Sequence, residues 1–98
     1  MSLNEKLRER KTVLTYFSYP DCNVCKVLLP KVKDLLKDYP QIDFLYVDTQ
    51  QEPEVSGQYL VFAVPTIILF YEGREAKRFS RHFSLQELSE FLERLSDA

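Results

Sequence analysis

The sequence predicts an α/β fold, a mixed sheet with helices on both of its faces. Three observations carry that expectation. Runs rich in β-branched and aromatic residues alternate with runs whose apolar residues recur every three or four positions. The last two strand-like runs are joined by a tight Glu72-Gly73 turn. Of the 98 residues 45% are hydrophobic and 29% charged, which suits one small globular domain over residues 1–98 that buries a core without disulfide staples.

Each element has its own signal. Ser2 stands three residues before Glu5, the spacing of a capping box, and predicts a short, solvated helix running to Lys11. Thr12 to Ser18 is β-branched and aromatic with no charge, as a strand buried on both faces requires. Tyr19-Pro20-Asp21 interrupts it. Val24, Val27, Leu28, Val32, Leu35 and Leu36 then form an apolar stripe, with Lys26, Lys31, Lys33, Lys37 and Asp38 on the other face of the helix. Pro30 inside that helix predicts a kink, and Tyr39-Pro40 ends it. Ile42 to Asp48 reads as the second strand and Gln51 to Leu60 as a short helix. After a turn at Phe62 to Pro65, Thr66 to Tyr71 is the most strand-like stretch, paired through Glu72-Gly73 with Arg74 to Ser80. Ser84, three residues before Glu87, caps a final helix whose apolar positions are Leu85, Leu88, Phe91, Leu92 and Leu95. The order is α-β-α-β-α-β-β-α. Strands separated by helices predict parallel pairing with right-handed crossovers, and the hairpin is antiparallel.

Composition narrows the function. Thirteen Lys and Arg against 15 Asp and Glu give a net charge of −2, which offers no field for a nucleic-acid backbone or anionic lipid. No apolar run reaches the roughly 18 residues that span a bilayer, and the charged Met1 to Lys11 segment lacks a signal-peptide core, so the expected compartment is the cytoplasm. In that reducing setting two cysteines are more often catalytic or metal-binding than structural.

Cys22-Asn23-Val24-Cys25 lies where a strand hands over to a helix, which places Cys22 at the helix N-terminus. Unpaired amides and the positive end of the helix dipole stabilise a thiolate there, and such thiols ionise at a pKa of roughly 3.5 to 7.5 against about 8.5 for free cysteine. Lys26 assists and Asp21 opposes. Cys25, one turn on, is within reach of a disulfide and is the more buried of the two. Cys22 then attacks a disulfide and Cys25 resolves the mixed disulfide. Two other readings stand beside this one. Structural zinc needs four ligands and only His82 accompanies the cysteines, although two chains together would complete a site; the other reading is a pair of incidental buried cysteines. His82 is weighed as a general base or pH sensor against a solvated surface side chain, and the latter is preferred. Tyr19, in the loop leading to Cys22, is the aromatic most expected to lie outside the core. No cofactor or metal is expected.

Taken together, Cys22-x-x-Cys25-Lys26 opening a long helix, Pro30 five residues later, Asp48 ending the next strand, Val64-Pro65-Thr66 before an apolar strand and Gly73 in the following turn resemble thioredoxin. The resemblance covers nearly the whole chain. It implies a thioredoxin-like three-layer sandwich with a four-stranded mixed sheet, a cis Pro65 against the cysteines, and a Val64 backbone that pairs with an extended substrate. It implies thiol-disulfide oxidoreductase activity, protein disulfides as substrates, and a reductase or small-thiol electron donor. The rival function is a non-catalytic binding or dimerisation module on the same fold.

The departures from the family pattern are specific. The buried acid six residues before the first cysteine is Tyr16, and its lysine partner is Phe44. The tryptophan before the first cysteine is Asp21, the Gly-Pro between the cysteines is Asn23-Val24, and a groove glycine is Arg81. The resemblance therefore implies a groove rim carrying Asp21 and Arg81, with a narrower substrate range, and Asp21 disfavours a neighbouring thiolate by like-charge repulsion. The family's first strand is expected to be missing, which would leave the Ile42–Val47 edge open for a homodimer or an added strand.

Overall fold

The computed structural model describes residues 3–9 and 11–96. Helices α1 (Leu3–Arg8), α2 (Asn23–Leu36), α3 (Pro53–Gln58) and α4 (Leu85–Ser96) alternate with strands β1 (Val13–Ser18), β2 (Asp43–Asp48), β3 (Thr66–Tyr71) and β4 (Arg74–Ser80) in the expected order. The capping Ser2 lies outside the described residues. At α4 the capping box forms: the Glu87 amide donates to Ser84 Oγ at 3.0 Å, and Glu87 Oε1 accepts from the Ser84 amide at 3.4 Å.

The sheet order is β2-β1-β3-β4, with β1 parallel to β2. β3 runs antiparallel to β1, contrary to the parallel pairing predicted for helix-separated strands. Only the six residues of α3 are helical in this connection, and they advance about 9 Å against about 20 Å for a strand. The connection closes at the end of the sheet where β1 and β2 both finish, and β3 starts back from there. Phe17 of β1 pairs with Thr66 at the start of β3. This reversal brings the segment before Thr66 to the same end of the sheet as the start of α2.

Alternation along β1 divides the core. Leu14 and Tyr16 face α2 and α4, where Cys25, Val32, Leu36, Ile67, Leu69, Leu88 and Leu92 are buried. Val13 and Phe17 face the opposite side with Leu3, Val47, Ile68 and Phe70, covered by Leu7 of α1 and by Val55 and Tyr59. Both faces of the sheet are covered, so β1 and β3 are buried along almost their whole length, Thr15, Ser18 and Thr66 included. Lys6 Nζ donates to Asp43 Oδ2 at 2.9 Å and ties α1 to the start of β2; that bond holds the Asp43 carboxyl below its ordinary range. At the far end of the hairpin Gly73 has φ 84°, and a Cβ there would sit 2.9 Å from the Leu7 carbonyl oxygen, so the turn beneath α1 requires glycine.

The apolar stripe of α2 holds only in part. Pro30 lies within the helix, and Val32 and Leu36 are buried, but Val24 and Val27 are 65% and 62% exposed. The face that meets the sheet runs through Cys25, Val32 and Leu36, and Val24 and Val27 lie beside it on the face that also carries the exposed Lys31. No helix among the described residues is long and apolar enough to cross a membrane.

Candidate active site

The site is assembled by three chain segments that meet at one end of the sheet. The first is the start of α2. Cys22 is its N-cap, with extended φ −80° and ψ 105°, and its Sγ accepts from the Cys25 amide at 3.2 Å. The Cys22 carbonyl accepts from the Lys26 amide at 3.1 Å, the first helical bond. Cys22 and Cys25 are joined by a disulfide with their Cα atoms 5.2 Å apart. Cys22 is half-buried, whereas Cys25 is only 1% exposed. No acidic residue occupies the first turn of the helix, so the dipole and the Cys25 amide act on Cys22 without opposition from within α2.

The second segment is the loop into β3. The Val64–Pro65 peptide is cis. Thr66 Oγ1 donates to the Ala63 carbonyl at 2.6 Å and closes the loop on itself. Further back, the Arg78 guanidinium of β4 donates to the carbonyls of Tyr59 at 2.7 Å and Leu60 at 3.1 Å, and is itself held by Glu75. That pairing lowers the Glu75 carboxyl and raises Arg78. β4 thus fixes the loop's point of departure.

The third segment follows β4. Arg81 has φ 59°, in the left-handed region, and its amide donates to the Pro65 carbonyl at 3.0 Å. His82 follows, exposed, with its amide on the Ser80 carbonyl at 2.8 Å. Asp21, Cys22, Val64, Pro65, Arg81 and His82 all line one open cleft of about 620 Å³. Every residue singled out in the sequence for this groove lies on its wall except Cys25, which is buried behind Cys22.

Two participants carried weaker signals. Tyr16 marks the place of an absent acid, but nothing in the sequence says what its phenol does. In the structure it donates to the Cys25 carbonyl at 2.9 Å, beneath the disulfide. Its ring lies 6.3 Å from Phe44 and 6.2 Å from Tyr46, and burial, with Tyr46 adding to it, pushes its pKa up to about 12. The other is Phe62, 84% exposed, which lines a second cleft with Tyr19, Val64 and Arg81. A large aromatic two residues before Val64-Pro65, in a turn, was its signal.

A family model described as Thioredoxin matches residues 1–94. The chain belongs to the thioredoxin family. Thioredoxin-like protein YdfQ of Bacillus subtilis is 30% identical over 95 residues, covering 97% of this chain and 85% of the relative. Thioredoxin 1 of Thermosipho africanus superposes with a TM-score of 0.82 at 38% identity, over 87% of this chain and 94% of that one. Thioredoxin of Fasciola hepatica reaches a TM-score of 0.85 at 32% identity, over 94% and 89% of the two chains. As a thioredoxin with its Cys-x-x-Cys pair in bonding contact, the chain is a thiol-disulfide oxidoreductase. The family's substrates are protein disulfides and its partners are disulfide reductases. Against that background, Tyr16 fills the family's buried acid position with a neutral phenol, and Arg81 fills a glycine position in a backbone conformation suited to glycine.

Proposed function

We propose that this thioredoxin, acting as a single domain over residues 1–98, reduces protein disulfides in the cytoplasm as part of thiol homeostasis. The observation that carries this reading is the Cys22–Cys25 bond across the first turn of α2, on a cleft whose wall includes Val64 and cis Pro65. In the reduced protein the Cys22 thiolate is favoured by the helix N-terminus and the Cys25 amide. It attacks one sulfur of the substrate disulfide, forming a mixed disulfide and expelling the other substrate sulfur as a thiolate, which takes up a proton. Cys25 loses its proton and attacks Cys22 Sγ, releasing the second substrate thiol and leaving the Cys22–Cys25 disulfide. Two electrons pass to the substrate, and a reductase or small-thiol donor restores them. The Val64 backbone aligns an extended substrate in the manner of an added strand, while Asp21 and Arg81 flank it.

Insulin reduction driven by dithiothreitol tests this. Turnover should fall to the uncatalysed rate in Cys22→Ser, and undiminished turnover in that variant would overturn the catalytic assignment.

A second contact is proposed at β2, which forms one edge of the sheet. Backbone groups along Ile42–Val47 are placed to pair with the same edge of a second copy. Sedimentation equilibrium at high micromolar concentration should show a monomer–dimer equilibrium; a strict monomer overturns it.

A further inference from the structure

We infer that Arg81 makes this thioredoxin prefer disulfides flanked by carboxylates, so that its substrates are acidic around the reacting cysteine. The inference rests on the disulfide-reductase reading above and narrows its substrate class.

Arg81 holds an unfavourable backbone conformation in an unusual place. At φ 59° a residue with a Cβ is strained, as are Leu60 and Glu72, but of the three only Arg81 lines the cleft that holds Cys22. Its amide is committed to the Pro65 carbonyl, so the residue is fastened to the wall against which a substrate would lie. Its side chain is exposed and has no ion pair among the described residues, in contrast with Arg78, whose guanidinium is held by Glu75 and two carbonyls. A guanidinium without an ion pair in the cleft that holds Cys22 is available to a ligand carboxylate, and its planar fork matches that group in two hydrogen bonds.

Arg81 also lines both clefts at this end of the sheet. Tyr19, Val64 and Arg81 are common to the cleft holding Cys22 and to the one holding Phe62, so the two adjoin and Arg81 stands where they meet. Along them, Val24 and Phe62 are exposed apolar contacts, 65% and 84% accessible, while Arg81 supplies cationic charge. Asp21, the carboxylate on the same wall, precedes α2 on the β1 side. Arg81 follows β4, and β3 lies between β1 and β4 in the sheet. A substrate carboxylate is therefore drawn to the β4 side of the groove and kept from the β1 side. Charges at an interface rim act mainly on encounter rate and on discrimination between partners.

The test uses three synthetic peptides, each closed by an internal disulfide and identical except that the residues adjacent to the reactive cysteine are Glu, Gln or Lys. The reduced protein is mixed with each, and the peptide thiol formed is followed by chromatography. The rate constants should fall in the order Glu, Gln, Lys, with about threefold between Glu and Gln, the size expected of an exposed ion pair. The Glu to Gln ratio should approach one in Arg81→Gln and in 0.5 M salt, and be retained in Arg81→Lys. Equal rates for the three peptides with the wild-type protein, or a ratio unchanged in Arg81→Gln, overturns the inference. Arg81→Gly, which relieves the backbone, should lose the ratio as Arg81→Gln does; a ratio that survives there also counts against it. Failure to reduce any of the peptides would instead sink the reductase reading, so the two failures are distinguishable.

Discussion

Beneath the Cys22–Cys25 bond stands Tyr16, hydrogen-bonded to the Cys25 carbonyl, with the rings of Phe44 and the more exposed Tyr46 beside its own; around the mouth stand Asp21, Arg81 and His82. On this floor Tyr16 itself is buried and neutral, with the charge of Lys33 over the outer ring of Phe44, whereas the rim carries both signs. A charge placed in a floor of low dielectric would act strongly on Cys25 and would cost several kcal/mol to desolvate. The same charge at the rim is screened by water and costs little. This chain therefore uses its floor to fix the geometry of α2's first turn and leaves electrostatic influence on the cysteines to the helix terminus and the rim. Variants of the floor should alter stability, whereas variants of the rim should alter reactivity and choice of substrate.

The largest expected effect comes from breaking the floor. Tyr16→Asp places at this position the acid that other thioredoxins carry, but without the surroundings to hold it. It removes a fully buried ring packed against Phe44 and Tyr46 and leaves a carboxylate among apolar neighbours. Urea unfolding of the oxidised protein should show a loss of about 3 kcal/mol or more. Burial raises the pKa of such an acid, so this loss should deepen as pH rises through its folded value. A variant as stable as wild type would mean that the floor already accommodates charge.

Tyr16→Phe is gentler and isolates the hydroxyl. At neutral pH it removes one hydrogen bond, about 1 kcal/mol. At alkaline pH the sign changes. The phenol titrates near 10 in the unfolded chain and is pushed up to about 12 in the folded one, so between those values the folded protein retains a proton that the unfolded chain has released. That contribution is complete below pH 10 and is lost as pH rises toward 12, amounting to about 2–3 kcal/mol. Tyr59, also raised by burial, adds a loss of the same sign that persists in the variant. The difference between wild type and Tyr16→Phe across this window therefore reports Tyr16 alone. Equal slopes for the two proteins would remove the buried phenol from the account.

The same division explains what could be read from the sequence. Local patterns were legible: the Ser84–Glu87 capping box, the β-branched and aromatic strand runs and the Glu72-Gly73 turn each depend on residues a few positions apart. The cysteine pair and Val64-Pro65 were legible through their spacing and family resemblance. The direction of β3 was not, because it depends on the end of the sheet from which the chain re-enters after α3, and a helical pattern between two strand runs does not specify that end. Val24 and Val27 were misassigned to the core for a related reason. Periodicity identifies a broad apolar side of a helix, but not which part of it meets the sheet, and in the first turn of α2 that part is Cys25. The bond from Tyr16 to the Cys25 carbonyl joins two elements through side-chain reach, for which no motif exists.

The smallest effect belongs to the rim. Asp21 is exposed in the turn before Cys22, where solvent screens its charge. Two charges ~7 Å apart in water interact by about 0.6 kcal/mol, roughly a threefold change in an ionisation equilibrium. Asp21→Asn removes that repulsion, so the pH midpoint for alkylation of the reduced protein by iodoacetamide should move downward. The maximal alkylation rate above the midpoint should fall slightly, because a less basic thiolate is a poorer nucleophile. Arg81→Gln should move the midpoint upward, since it withdraws a cation from the same cleft. Both displacements should shrink in 0.5 M salt, where the screening length is only a few ångströms. An upward displacement in Asp21→Asn, or one of undiminished size at high salt, would mean that Asp21 acts on Cys22 through structure and not through charge, and the separation of floor from rim would fail at its weakest point.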